Sequence, residues 1–244
     1  MAEHNLRFEL CAFTIQSCLT AQKAGAARVE LCDNPIEGGT TPSYGTIKKV
    51  REQIDIELYP IIRPRSMNYF YDQEEWESML EDVKICKELG CDGISIGVQK
   101  QNGEVDADKM KQLVELAYPM KVTSNRVIDA APDPYEALDV LIQAGCYRVL
   151  TSGQAAAAPE GIEVLKQLVT QSAGRISIMP GAGVNSGNVA MLAKATGAFE
   201  FHASARIKAV NPVTHQNPNI LDSGDMFIAD EEEVRKIVNA LKNL

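Results

Sequence analysis

Two thiols, Cys11 and Cys32, close a five-residue pattern that occurs twice in this chain: Arg7-Phe8-Glu9-Leu10-Cys11 and Arg28-Val29-Glu30-Leu31-Cys32. Each copy alternates strictly, so Phe8 and Leu10, or Val29 and Leu31, share one side and the arginine, glutamate and cysteine share the other, as in a strand. A strand of a parallel sheet is usually apolar on both faces. One that turns an arginine, a carboxylate and a thiol inward carries chemistry there. Neighbouring strands lie ~4.8 Å apart, so Cys11 and Cys32 at matching positions are expected side by side, a pair suited to a soft ion such as copper(I). The ordinary alternative is that each thiol is a small buried hydrophobe.

The segments that position these residues alternate between strand and helix along the whole chain. Strands are expected at Arg7–Cys11, Arg28–Cys32, 56–62, 93–97, 121–127, 147–150, 175–179 and 198–202. Between them, Thr14, Ser43 and Asp133 open helices as N-caps, a helix is expected from about Ser186 to Ala195, and the last helix runs over 230–244. Eight strand-then-helix units with no linker predict an α/β chain folded as a single (β/α)₈ TIM barrel over residues 1–244, with a doubly wound sheet as the runner-up. Residues 203–229 contain Asn211-Pro212, Asn217-Pro218 and Ser223-Gly224 but no periodic element, which predicts a long loop over the barrel mouth.

Barrel chemistry sits at the C-terminal ends of the strands. That rule selects Glu9, Glu30 and Glu200 as candidate acid–base or ion-pair groups, neutralised by Arg7, Arg28, Arg63 or Arg148. It selects Arg63, Arg126, Asp129, Gly181 and Gly183 as candidate anion-binding positions, the glycines through backbone N–H groups ahead of a helix. His202 is a ligand, an acid or base, or a satisfied core histidine.

With 244 residues, 45% hydrophobic and a formal net charge of −9, the chain reads as a water-soluble globular protein. The acidity argues against nucleic acid or an anionic membrane surface as partner. No window approaches the ~18 apolar residues of a membrane span, and the polar start predicts a cytoplasmic location. Six cysteines without a C-x-x-C pair are expected to be reduced.

Beyond the repeated Glu9-Leu10-Cys11 and Glu30-Leu31-Cys32 stretches, the chain carries Gly38-Gly39-Thr40-Thr41-Pro42-Ser43, Ile62-Arg63-Pro64-Arg65, Leu150-Thr151-Ser152-Gly153, Ile178-Met179-Pro180-Gly181-Ala182-Gly183 and Glu200-Phe201-His202-Ala203-Ser204. In these stretches it resembles the copper homeostasis family CutC. The resemblance implies a (β/α)₈ barrel, a cytoplasmic homodimer and a role in binding copper, with Cys11 and Cys32 matching the cysteines proposed to hold copper(I). The alternative expectation is an enzyme acting on a small phosphorylated or otherwise anionic metabolite at the same rim. Where such proteins read Thr-Phe-His-Arg, this chain reads Thr123-Ser124-Asn125-Arg126, so Asn125 replaces a rim histidine and cannot take up a proton. Ser66-Met67-Asn68 replaces the usual Gly-Gly-Asp.

Overall fold

The structure is a computed structural model that describes residues 5–215, 217, 219 and 225–244. Eight parallel strands, β1 (Arg7–Ala12), β2 (Arg28–Leu31), β3 (Glu57–Ile62), β4 (Gly93–Ile96), β5 (Lys121–Ser124), β6 (Arg148–Thr151), β7 (Ser177–Pro180) and β8 (Glu200–Ala203), form one sheet. Its order is β7-β6-β5-β4-β3-β2-β1-β8. Strands β7 and β8 then lie side by side, which all but closes a TIM barrel.

Helices α1 (Ile15–Ala24), α2 (Tyr44–Arg51), α3 (Gln73–Glu88), α4 (Ala107–Ala117), α5 (Pro134–Ala144), α6 (Ile162–Ser172) and α7 (Val189–Thr196) return the chain between strands, and α8 (Glu231–Lys242) completes the outer ring against α1 and α7. Their starts follow from capping chemistry. Thr14, Ser43, Asp72, Asp106, Asp133 and Asp230 each accept a backbone N–H of the first turn. Asp72 and Glu75 make a reciprocal capping box. Among the described residues no helix is long and apolar enough to cross a membrane.

The alternation in β1 and β2 sorts residues as expected. Phe8, Leu10, Val29 and Leu31 belong to the apolar core with residues such as Val50, Met79, Leu113, Leu138, Leu165 and Ile237 of the helices. The polar residues of the same strands fill the lumen instead.

Beyond shifts of one or two residues at strand ends, three features differ from expectation. The fifth strand ends at Ser124, because Asn125 accepts the Val127 N–H and starts a 3₁₀ turn over Arg126–Ala130. Helix α7 starts at Val189 rather than Ser186, with Asn185 and Asn188 making turn hydrogen bonds before it. The expected structureless stretch after β8 contains an antiparallel hairpin of β9 (Arg206–Lys208) and β10 (Phe227–Ala229), with Arg206 pairing Ala229. Their three-residue length hid them from a periodicity search. Arg206 donates to the Pro35 carbonyl and stacks near Phe13 and Phe227, holding the hairpin at the C-terminal end of the first two strands. Asn211-Pro212 is described here; of the other loop signals, Pro218, Ser223 and Gly224 lie outside the described residues.

Candidate functional site

The polar faces of the strands meet inside the barrel in two levels. In the lower level Arg28 is 1% exposed and donates to Glu9 through Nε, to Glu200 at 2.7 Å and to Glu57 at 3.2 Å. Arg148, fully buried, donates to the same Glu200 oxygen at 2.8 Å and to Thr123 Oγ1 at 3.0 Å. The Tyr59 ring lies near both guanidinium groups, at 5.2 and 5.4 Å. Gly93 makes this possible: a Cβ there would lie 2.2 Å from the tyrosine ring.

Burial alone would push the Glu9 and Glu200 carboxyls up. The arginines outweigh it, Arg28 first at Glu9 and Arg148 first at Glu200, and hold both carboxyls below the usual carboxylate range. Arg7 pairs with Glu57 at 2.8 Å, and Arg63 makes no ion pair among the described residues. The expectation that arginines neutralise Glu9, Glu30 and Glu200 thus holds for Arg28 and Arg148, which pair with Glu9 and Glu200; Arg7 pairs with Glu57 instead, and Glu30 has no arginine partner among the described residues.

The upper level holds the thiols. Glu9 turns its second oxygen to His202 Nδ1 at 2.7 Å, and His202 Nε2 faces Glu30 Oε2 at 3.7 Å. Cys32 Sγ lies 3.5 Å from Glu30 Oε2 and 3.7 Å from Cys11 Sγ. Among the described residues, Cys11, Glu30 and Cys32 are the one group of three such donors whose ligand atoms all lie within 4.8 Å of one another.

The two thiols differ electrostatically. The contact with Cys32, helped by His202, lowers the Cys11 thiol against burial and Glu30, whereas burial first and Cys11 second push the Cys32 thiol up. Cys11 is therefore the more acidic thiol of the pair. Burial opposes charging of His202, but Cys11 and Glu9 hold it well above the usual histidine value.

Arg126 and Asp129 sit on the β5 side of the rim and are occupied by each other. Asp129 accepts from Arg126 Nε at 2.7 Å, from Thr151 Oγ1 at 2.6 Å, and from the backbone N–H groups of Ser152 and Gln154. Arg126 also donates to Ser152 Oγ at 2.8 Å. This carboxylate pins the loop after β6 to the turn after β5. The Gly181 N–H, selected from sequence as an anion donor, donates to the Thr151 carbonyl at 2.9 Å, and Gly183 turns the chain at φ +70° with its carbonyl bonded to Asn188.

Sequence reasoning did not select Tyr59, Glu57 or Thr123. The inward parity of β3 and β5 was the signal that would have found them.

These strand ends match a known group of proteins. A model of the CutC family matches residues 6–207. This chain belongs to the CutC family. A family protein CutC of Chromobacterium violaceum is 48% identical over 212 residues, covering 87% of this chain and 86% of the relative. One of Xanthomonas campestris is 47% identical over 235 residues, covering 96% of this chain and 98% of the relative. Among solved structures, a Streptococcus agalactiae chain described as a copper homeostasis protein CutC superposes with a TM-score of 0.77 at 32% identity, covering 82% of this chain and 98% of that one. Membership in CutC places this barrel in a copper homeostasis family, and the thiol pair sits at the mouth where barrel chemistry is done.

Proposed function

We propose that this CutC protein binds copper(I) at the barrel mouth through Cys11 and Cys32, with Glu30 as the adjacent third donor. The observation that carries the reading is the 3.7 Å separation of the two sulfur atoms. Two thiolates on one ion at ~2.3 Å each lie at most ~4.6 Å apart, so the pair fits a shared metal without rearranging the backbone. Thiolates also favour a soft monovalent cation over hard divalent ions.

The surrounding residues support the same reading. A bound cation would neutralise thiolate charge that burial otherwise penalises. Glu9, itself fixed by Arg28, holds His202 by Nδ1, so the ring is oriented with Nε2 toward the site. When bound, the ion supplies a reversible soft-ligand store rather than a reacting centre. A catalytic reading with a glutamate as base needs a carboxyl that takes up and releases a proton. Glu9 and Glu200 are held ionised by arginines, which favours binding over acid–base turnover. A cytoplasmic homodimer remains part of the reading on family resemblance.

Titration with copper(I) against a competing chelator, under reducing conditions, tests it. Tight 1:1 binding that is lost in the Cys11→Ser, Cys32→Ser double variant is expected; parent-like affinity in that variant overturns it.

A further inference from the structure

Arg63 is 6% exposed and has no carboxylate partner among the described residues. Its Nη1 donates to two carbonyls, of Glu37 at 3.1 Å and Gly39 at 3.0 Å, while its Nε is buried and unbonded. Carbonyl dipoles satisfy hydrogen bonds but do not cancel a charge. A buried guanidinium in this state is short of one anion.

A second unmet donor lies at the same level. Asn125 is 3% exposed; its Oδ1 is committed to the Val127 N–H at 3.1 Å, which identifies the remaining atom as Nδ2, and Nδ2 has no partner among the described residues. Ile62 pairs with Ile96 and Ile96 with Ser124, so Arg63, Gly97 and Asn125 follow at one height on β3, β4 and β5. The parity of Tyr59 and Thr123, both bonded or stacked to lumen groups, turns Arg63 and Asn125 inward as well. Between them Gly97 has no side chain, and a Cβ there would lie 2.3 Å from Asn125 Oδ1.

Tyr69 reaches from the loop after β3 across to the end of β4. Its carbonyl accepts the Gln99 N–H at 2.7 Å, above the end of β4, and its ring stacks on Arg63 at 5.1 Å. The phenol is close enough to feel the charges of Arg63, Arg126, Asp129 and Glu30. Arg63 Nε and Asn125 Nδ2 can only donate.

We propose that Arg63 and Asn125, with Tyr69 stacked on Arg63, form an anion subsite over Gly97 that takes the carboxylate of a small molecule, separate from the thiol pair. One uncompensated cation and one neutral amide suit a monoanion. Glu30, across the same rim, disfavours the second charge of a phosphate dianion. Arg126 is already occupied by Asp129 and Ser152, so it adds no free cation.

Calorimetric titration of the full chain with acetate, pyruvate and inorganic phosphate, in chloride-free buffer with thiols reduced and copper chelated, tests this subsite. Saturable binding of a carboxylate in preference to phosphate is expected. Asn125→Asp keeps the oxygen that caps Val127 and replaces the free donor with a negative group, so it should fold and weaken carboxylate binding by about tenfold or more. The same variant should melt higher without ligand, because Arg63 gains its counterion. The Cys11→Ser, Cys32→Ser double variant should bind carboxylate like the parent, which separates this result from the copper titration. No saturable carboxylate binding, a preference for phosphate, parent-like binding by Asn125→Asp, or loss of binding in the double serine variant overturns the proposal.

Discussion

Cys11 Sγ and Cys32 Sγ lie 3.7 Å apart, yet they are not equivalent: the first is half-buried with its thiol lowered, the second is buried with its thiol raised. The thiolate is the reactive form. Cys11 should therefore be alkylated first by iodoacetamide at neutral pH. Burial pushes Cys18 and Cys146 up to about 12, so they should stay unmodified in the folded chain. Peptide mapping after timed quenching checks the order, and early labelling of Cys18 or Cys146 contradicts it.

Arg148 donates to Glu200 and Thr123 with no solvent exposure, so removing its charge strands a buried carboxylate beside Arg28 alone. Arg148→Met should lower stability by about 3–5 kcal/mol. Urea denaturation measures the loss; adding Glu200→Leu to Arg148→Met should not recover all of it, because Arg28 then loses one of its partners.

Glu200 also sets an acid limit. Its folded carboxyl binds a proton less tightly than the ordinary value of 4.5, since Arg148 and Arg28 overcome the opposing effect of burial. The unfolded chain therefore takes up the proton first as pH falls. The stabilisation is fully present above about 4.5 and is lost as pH drops through the lower folded value. Denaturation midpoints measured from neutral pH down to about 3 should fall, and Glu200→Gln should flatten part of that slope.

Gly93 leaves the volume that Tyr59 fills. In Gly93→Ala the new methyl group would lie 2.2 Å from the ring and 2.5 Å from the Lys121 carbonyl oxygen, so either the ring or the strand must move. A loss of about 1–3 kcal/mol is expected. Pairing it with Tyr59→Leu should recover part of the thermal stability; an unchanged melting temperature in the single variant would refute this packing.

At the proposed copper site, Glu9 is expected to matter without touching the ion. Glu9→Gln weakens the hold on His202 Nδ1, and copper(I) affinity should fall about 10–100-fold while Cys11 and Cys32 remain. Competition titration reads the change, and circular dichroism at the same temperature confirms that the variant is folded.

The eightfold alternation of strand and helix, the caps at Thr14, Ser43 and Asp133, and the inward turn of Glu9, Cys11, Glu30 and Cys32 were all legible in the sequence. Each is a local property: periodicity and capping act within one turn or one strand. The pairing of these groups was not local. Arg28 meets Glu200 across 172 residues, Glu9 meets His202 across 193, and Arg63, spelled like the other inward arginines, has no carboxylate partner among the described residues. Those outcomes depend on how strands stagger as the barrel closes, which fixes who faces whom across the lumen. The short β9–β10 hairpin and the bonds from Thr151 and Ser152 to Asp129 likewise exist only once the loops meet at the rim. Sequence decided which side chains enter the barrel; closure of the barrel decided which of them find a partner there.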